Sequence, residues 1–295
     1  MKKALVLGGS GFVGSHLVEL LQKKKYKTDI FDVTEPHAFS FSGKFYKGSI
    51  ADYKILESVI KLVKPNIIFD CSGVLGTAET FEHIGTAVDV NIKGTLNVLE
   101  VAKKYKIPMV YIGLTNEWLN PYTITKRAAE KFCLMYAREF KMKVAVLKGL
   151  NAYGPRQHWK KVRKIAPTFI TLALENKPLI INGNGIQVVD MIHSTDLSEM
   201  MIRMYEKGTC WGKSIDGGTG VPMTVNEVAE KIIKLVKSKS KIVHKKMRIG
   251  EPEMAITLAK PGDTRQLLDF YPQISFEDGM KQTIDWYKKN YKTWE

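Results

Sequence analysis

Tyr122 and Lys126 stand four residues apart in a stretch, Tyr122 to Phe140, that contains no glycine or proline. Ala128, Ala129, Phe132, Met135 and Tyr136 recur there at roughly helical spacing, so the phenol and the ammonium share one face of a long helix. A Tyr/Lys pair of this kind is common and means nothing alone. A second group gives it meaning: Gly8-Gly9-Ser10-Gly11-Phe12-Val13-Gly14 follows a short apolar run and opens a helical pattern. Glycines at 8, 11 and 14 let the chain turn tightly, let backbone N–H groups approach a pyrophosphate, and let the helix lie close to a sheet. Asp32 ends the next apolar run, where a carboxylate accepts hydrogen bonds from an adenosine ribose and repels a 2′-phosphate, favouring NAD over NADP. A plain turn aspartate ahead of Pro36 is the other reading of that residue. Beside a bound nicotinamide, Lys126 would draw the phenol from about 10 toward neutrality and make Tyr122 a general base. Thr115, at the end of a further run, is placed to orient the same substrate oxygen.

These residues need a scaffold of alternating strands and helices. β-rich runs at Ala4–Leu7, Thr28–Phe31, Lys44–Lys47, Ile67–Cys71, Met109–Ile112 and Val144–Leu147 are separated by helical patterns starting near Gly11, Asp52, Ala87 and Tyr122. That alternation predicts βαβ units and a parallel sheet. Beyond Pro155 the pattern is irregular, with turn signals at Asn182–Gly185 and Asp216–Gly220. Helices are expected at Thr224–Lys237 and Phe276–Asn290, and a strand around Lys241. The reading is a nucleotide-binding domain over 1–160, completed by about 187–212, with a smaller lobe from 161–186 and 213–295.

The chain has 295 residues, 44% of them hydrophobic, enough for a real core. Its longest apolar runs are far too short to span a bilayer, so no membrane partner is expected. The start, Met1-Lys2-Lys3, has no signal-peptide pattern, which makes a cytoplasmic protein the default expectation. Cys71, Cys133 and Cys210 are widely spaced, suggest neither disulfides nor zinc, and read as small buried residues; no metal is assigned. Lys plus Arg number 45 against 30 Asp plus Glu, a net +15. The lysines fall in short clusters where helices end, which reads as solvated faces that welcome small anions and not as a nucleic-acid groove. His158, beside Lys160 and Lys161, reads as a surface residue, and Met200, Met201 and Met204 as core.

With these motifs in order, the sequence resembles the extended short-chain dehydrogenase/reductases, specifically the NAD-dependent nucleotide-sugar epimerases and dehydratases. Besides the glycine loop and Asp32, Asn91-Ile92-Lys93-Gly94-Thr95-Leu96-Asn97 is similar to that family's Asn-x-x-Gly-Thr-x-Asn segment, and Asn151 to Gln157 to its Asn-x-Tyr-Gly-Pro-Arg-Gln. Gly183 through Asp196 follows its Gly-x-Gly-x-Gln...Asp-x-x-x-His-x-x-Asp pattern, and Arg248 to Pro252 its Arg-x-Gly-Glu-Pro. The resemblance implies a Rossmann-type doubly wound parallel sheet with a smaller C-terminal α/β substrate lobe, and a site between them. It implies catalytic roles for Thr115, Tyr122 and Lys126, and cofactor contacts from Gly8, Gly11, Phe12, Val13, Gly14, Asp32, Ser49, Ile50, Cys71, Ser72, Gly73, Asn91, Tyr122 and Lys126. Substrate contacts fall to Asn151, Arg156, Gln187 and Arg248. NAD is the implied cofactor, a nucleotide-sugar the substrate, and a homodimer built on the Tyr122 helix the assembly.

Several positions depart from the family pattern. Only Asn116 to Pro121 separate Thr115 from Tyr122, where the family has a much longer loop. Val189 stands where many members carry an arginine, Ser49 replaces the usual adenine-contacting aspartate, and Cys71-Ser72-Gly73 replaces a His-x-Ala segment. Thr115-Asn116-Glu117 lacks the Asp-Glu pair of the dehydratases, because an amide cannot donate a proton as a carboxylic acid does. Glu117 is a candidate base, though a solvent-facing or loop-capping glutamate fits the short loop better. The expected activity is 4-epimerisation through a 4-keto intermediate. The alternatives are a dehydratase, decarboxylase or reductase of the same fold, or a non-catalytic dinucleotide sensor.

Overall fold

The computed structural model describes residues 1–160 and 162–294. Its first half is β1 (Lys3–Leu7), α1 (Phe12–Lys23), β2 (Lys27–Asp32), β3 (Phe45–Lys47), α2 (Tyr53–Val63) and β4 (Ile67–Asp70). After a 3₁₀ turn come α3 (Ile84–Ala87), a π-helical stretch over Val88–Gly94, α4 (Thr95–Tyr105), β5 (Met109–Gly113), α5 (Pro121–Glu139) and β6 (Val144–Gly149). The second half holds β7 (Asn151–Tyr153), α6 (Ile165–Leu174), β8 (Leu179–Asn182), β9 (Val188–Val189), β10 (Met191–His193), α7 (Ser194–Lys207) and β11 (Ser214–Gly217). It ends with β12 (Met223–Thr224), α8 (Val225–Val236), β13 (Ile242–Lys245), β14 (Ile256–Thr257), α9 (Gly262–Leu268) and α10 (Phe276–Asn290).

Seven parallel strands form one sheet in the order β11-β6-β5-β4-β1-β2-β3. The strands are apolar on both faces because both faces are covered. Ala4 and Val6 pack with α1 and α7 on one side, while Leu5 and Leu7 pack with α2 and α4 on the other. The same alternation splits Phe69 from Ile68, and Ala145 from Val144 and Val146, so each strand feeds two cores. The strand order reverses between β1 and β4, which opens a crevice at the carboxyl ends of these strands.

A smaller lobe forms around α6, α8 and α10, whose Ile170, Val228, Ile232, Met280 and Tyr287 bury a third core with Leu179 and Ile181 of β8. The expected boundaries need one correction. Ser214–Gly217 pairs with β6 as the seventh strand, and Leu268 and Phe270 join the core under α1 and α7, so parts of 213–295 belong with the sheet. The glycine and turn residues at Asp216–Gly220 masked this strand, whose single fully apolar residue, Ile215, leaves little periodic signal. Met200, Met201 and Met204 are core, as expected, and Cys133 and Cys210 are buried while Cys71 is half-buried.

Candidate active site

The glycine loop joins β1 to α1 at the crevice. Gly8 adopts φ +70, and a Cβ on Gly14 would overlap the Gly8 carbonyl oxygen, so both positions need glycine. Asp32, at the end of β2, accepts the Ser10 N–H at 3.0 Å and the Thr34 N–H at 3.2 Å, which fixes its carboxylate on the cleft wall beside the loop. The buried Ser10 hydroxyl has no partner, a free donor in the loop that would cradle a pyrophosphate. These residues fit a dinucleotide.

One cleft of about 1640 Å³ runs from the glycine loop to the smaller lobe. It is lined by Gly8, Gly11, Phe12, Val13, Gly14, Asp32, Ser49, Ile50, Cys71, Ser72 and Gly73 at one end, and by Thr115, Tyr122 and Lys126 at its centre. Asn151, Gln187 and Arg248 line the far end. The structure thus brings most of the expected site residues to one cavity. Lys126, Lys160, Arg163, Lys164 and Arg248 face it against the carboxylates Asp32 and Glu251, so among the described residues the cleft is positive and suits an anion.

Tyr122 reaches its position through the helix start. Asn120 caps α5 by accepting the Thr123 N–H at 2.9 Å, and its amide donates to the Gly250 carbonyl at 2.9 Å, tying the helix to the loop that carries Arg248. Pro121 occupies the first turn, where its missing N–H is harmless. Lys126, one turn on, is 3% exposed, with its ammonium 4.2 Å from the Tyr111 ring centroid.

Two expected site residues, Arg156 and Asn91, are corrected, and two others are placed. In the protein alone, burial pushes the Tyr122 phenol up to about 12, so the charge of a bound nicotinamide has that burial to offset. Glu117 takes the solvent-facing, loop-bracing place that the short loop favours, and not that of a base: it does not line the cleft, is 77% exposed and is paired with Arg127 at 2.7 Å. Arg156 is 7% exposed, does not line the cleft and is turned toward α1, where it bonds Ser15 at 3.1 Å and Glu19 at 2.5 Å. Asn91 lies buried behind the cleft wall, its amide engaged by the Val74 backbone at 2.8 and 3.1 Å and by Thr125 at 3.0 Å. It fastens the loop after β4 to α5.

Arg248 is held by Glu251, its Nε donating at 3.2 Å, and Asn151 donates to Thr257 at 3.1 Å. Gln187 gives its amide hydrogen to the Asn182 carbonyl, leaving its buried oxygen unpartnered. Lys164 was missed: its ammonium lies 5.6 Å from the Tyr122 ring centroid, and burial outweighs the nearby Glu79 to lower its affinity for a proton. Nothing in the run Lys160 to Lys164 distinguishes it from solvated neighbours except its place just before α6. Trp118 and His158 also line the cleft, the latter against expectation, because His158 stacks on Trp294 at 5.1 Å.

The sheet, the glycine loop and the Tyr122–Lys126 helix define a dinucleotide-dependent enzyme of the Rossmann type. The model of the NAD dependent epimerase/dehydratase family matches residues 4–211, and the chain belongs to that family. It is therefore an enzyme, with NAD as its cofactor. It is 27% identical to the UDP-N-acetyl-alpha-D-glucosaminuronate decarboxylase of Bacillus cytotoxicus, over 98% of both chains. It is also 27% identical to a putative UDP-glucose 4-epimerase of Methanocaldococcus jannaschii, over 98% of this chain and 99% of that one. The solved UDP-glucose 4-epimerase of Thermotoga maritima superposes with a TM-score of 0.90 at 25% identity, covering 98% of this chain and 99% of the other. No helix among the described residues is long and apolar enough to cross a membrane.

Proposed function

We propose that the protein is a nucleotide-sugar 4-epimerase that keeps its NAD through the cycle and works in the cytoplasm. The observation that carries this reading is the absence of an elimination acid or base at the sugar end. Asn116 is an amide, Glu117 is turned out onto Arg127, and Asp32 and Glu251 are the carboxylates among the described residues that line the cleft. What remains beside Thr115, Tyr122 and Lys126 is oxidation and re-reduction at C4, with loss of CO₂ from a 4-keto hexuronate the competing outcome that needs no eliminating acid. NAD supplies the hydride acceptor and donor when bound. Tyr122 takes the proton of the C4 hydroxyl and returns it; Thr115 orients that oxygen. Lys126 stands one turn along the same helix, and its charge together with that of the bound cofactor would counter the burial that raises Tyr122. Arg248 and Asn151 hold the diphosphate about which the keto sugar turns over.

Lys164 favours a second substrate within this reading, a nucleotide-hexuronate whose C6 carboxylate would meet the ammonium near Tyr122. Incubation with UDP-glucose and with UDP-glucuronate, followed by NMR of the products, tests both. The expected product is a 4-epimer with no net NADH. Release of CO₂ or a stable 4-keto-6-deoxy sugar would replace 4-epimerisation by decarboxylation or dehydration. If the hexuronate is the substrate, Lys164→Met raises its KM at least tenfold, as loss of about one charged hydrogen bond does, and leaves that for UDP-glucose much less changed.

The same proposal includes a homodimer through α5, whose outward Ala128, Phe132 and Met135 border an apolar depression of about 380 Å³. Sedimentation at micromolar concentration is expected to show about twice the 33.4 kDa of the chain.

A further inference from the structure

Behind the catalytic lysine lies a buried acid that the mechanism above does not use. Asp70, the last residue of β4, is fully buried. One of its carboxylate oxygens accepts both the Ser72 N–H at 3.0 Å and the Ser72 hydroxyl, while the other has no hydrogen-bond partner. Asp70 does not line the cleft; its neighbours Cys71 and Ser72 do. In the sheet it stands directly beside Tyr111 of β5, over whose ring the Lys126 ammonium sits at 4.2 Å. Among the described residues that ammonium makes no ion pair, and it is 3% exposed.

A carboxylate behind the cleft wall and an ammonium at the wall thus flank the same tyrosine, each short of a partner among the described residues. Either charge alone would be costly there, since a buried lysine with no counter-ion gives up its proton and a buried acid keeps its own. The groups facing Lys126 are Asp70 at the end of β4, Cys71 just after it, Tyr111 from β5, and Cys133 from its own helix. Burial pushes both thiols and the Tyr111 phenol up, and it raises Asp70 as well, with the Ser72 hydrogen bonds and the Lys126 charge opposing it, so Asp70 is the one carboxylic acid among these groups.

We propose that Asp70 is the buried counter-ion that holds Lys126 in its ammonium form, a positioning residue that acts on Tyr122 through the lysine. The proposal rests on the reading of Lys126 as the charge beside the general base. It explains why a strand end facing a cofactor cleft carries an aspartate whose carboxylate points into the protein. Burial lowers Lys126 and Asp70 opposes it. A neutral amine at this position could neither offset the phenolate nor donate all three of its hydrogens to a ribose.

The test is a titration of Lys126 followed by NMR of protein labelled at lysine ¹³Cε, the resonance being assigned by its loss in Lys126→Met. Asp70→Asn keeps the shape of the side chain and an oxygen for Ser72. Its Lys126 midpoint is expected to fall by about one pH unit or more relative to the unmodified protein. A midpoint unchanged within a few tenths of a unit overturns the counter-ion role. If near-UV circular dichroism shows that the Asn variant is not folded, Asp70→Ser replaces it: a lowered Lys126 midpoint supports the proposal and an unchanged one overturns it, as does a Lys126 already neutral at pH 8 in the unmodified protein. The titration needs no substrate, so its outcome is independent of whether the sugar chemistry is epimerisation. With an active substrate, Asp70→Asn is further expected to move the alkaline limb of kcat/KM to lower pH, because the ammonium is lost earlier. A purely structural role would lower activity evenly across pH.

Discussion

Tyr122 carries the sharpest consequence of the site, because its hydroxyl is the group whose removal changes chemistry without changing packing. Tyr122→Phe removes one oxygen from a ring held at the start of α5 by the Asn120 cap, so fold and NAD binding are expected to persist. Turnover is expected to fall by about 10² to 10⁴, the usual worth of general acid–base assistance. Retention of most activity by the Phe variant would transfer the base role elsewhere, and Glu117, ion-paired with Arg127 outside the cleft, is not positioned to take it. The residue types that spacing singled out, the glycines, Asp32, Thr115, Tyr122 and Lys126, all reach the cleft, since backbone position at the sheet edge suffices to place them. Arg156 and Asn91 were misjudged for a common reason. Each lies in a motif beside the site, but its side chain is consumed by partners, Glu19 in one case and the Val74 backbone in the other, which only the folded chain brings near.

At the scale of elements, the first-half strands and the helices α1, α2 and α5 are legible to within a residue or two because each is a separate run bounded by polar turns. The helix expected near Ala87 instead begins at Ile84 and passes through a π-helical stretch before α4. The smaller lobe is less legible. α6 is apolar nearly all round, and β9, β12 and β14 are two residues long, so neither period is expressed. Nothing in the sequence shows that the segment after α10 returns to the cleft. Trp294, 5% exposed, is flanked by His37 at 4.8 Å, His158 at 5.1 Å and Trp286 at 5.2 Å. His37 sits on the loop after β2 and His158 on the segment after β7, and both line the cleft, so the indole ties its two sides together. Trp294→Ala is therefore expected to cost about 3 kcal/mol, the low end for truncating a buried aromatic. It should also raise amide exchange in residues 33–43 more than in the sheet. Equal protection of that loop in both proteins would mean that the stack does not hold it.

Across the whole molecule, the sheet and the smaller lobe meet over two histidines that stay uncharged. The His16 Nε2 of α1 donates to the Pro155 carbonyl at 2.9 Å, and its ring lies 6.2 Å from that of His193, which in turn meets Tyr153 at 5.4 Å. Burial, with Arg156 adding to it, drives His16 down to about 3, and burial drives His193 down to about 4. In the unfolded chain both take up a proton near pH 6.5, whereas in the folded protein they do so only at much lower pH. The unfolded state therefore binds more protons across that window, and stability is lost as pH falls from about 6.5 toward 4. For His16 the linkage reaches about 3 kcal/mol at pH 4.5. His16→Gln keeps an amide donor for the Pro155 carbonyl and cannot titrate, so urea midpoints measured at pH 7 and pH 4.5 separate the two causes of acid instability. Whatever imperfect packing costs the variant at pH 7, its loss between the two pH values is expected to be smaller than that of the unmodified protein by about that amount. Carboxylate titration is common to both proteins and cancels in the comparison. Parallel losses would show that the interface accommodates a charged His16, and that the two lobes are not held together by a neutral ring at their junction.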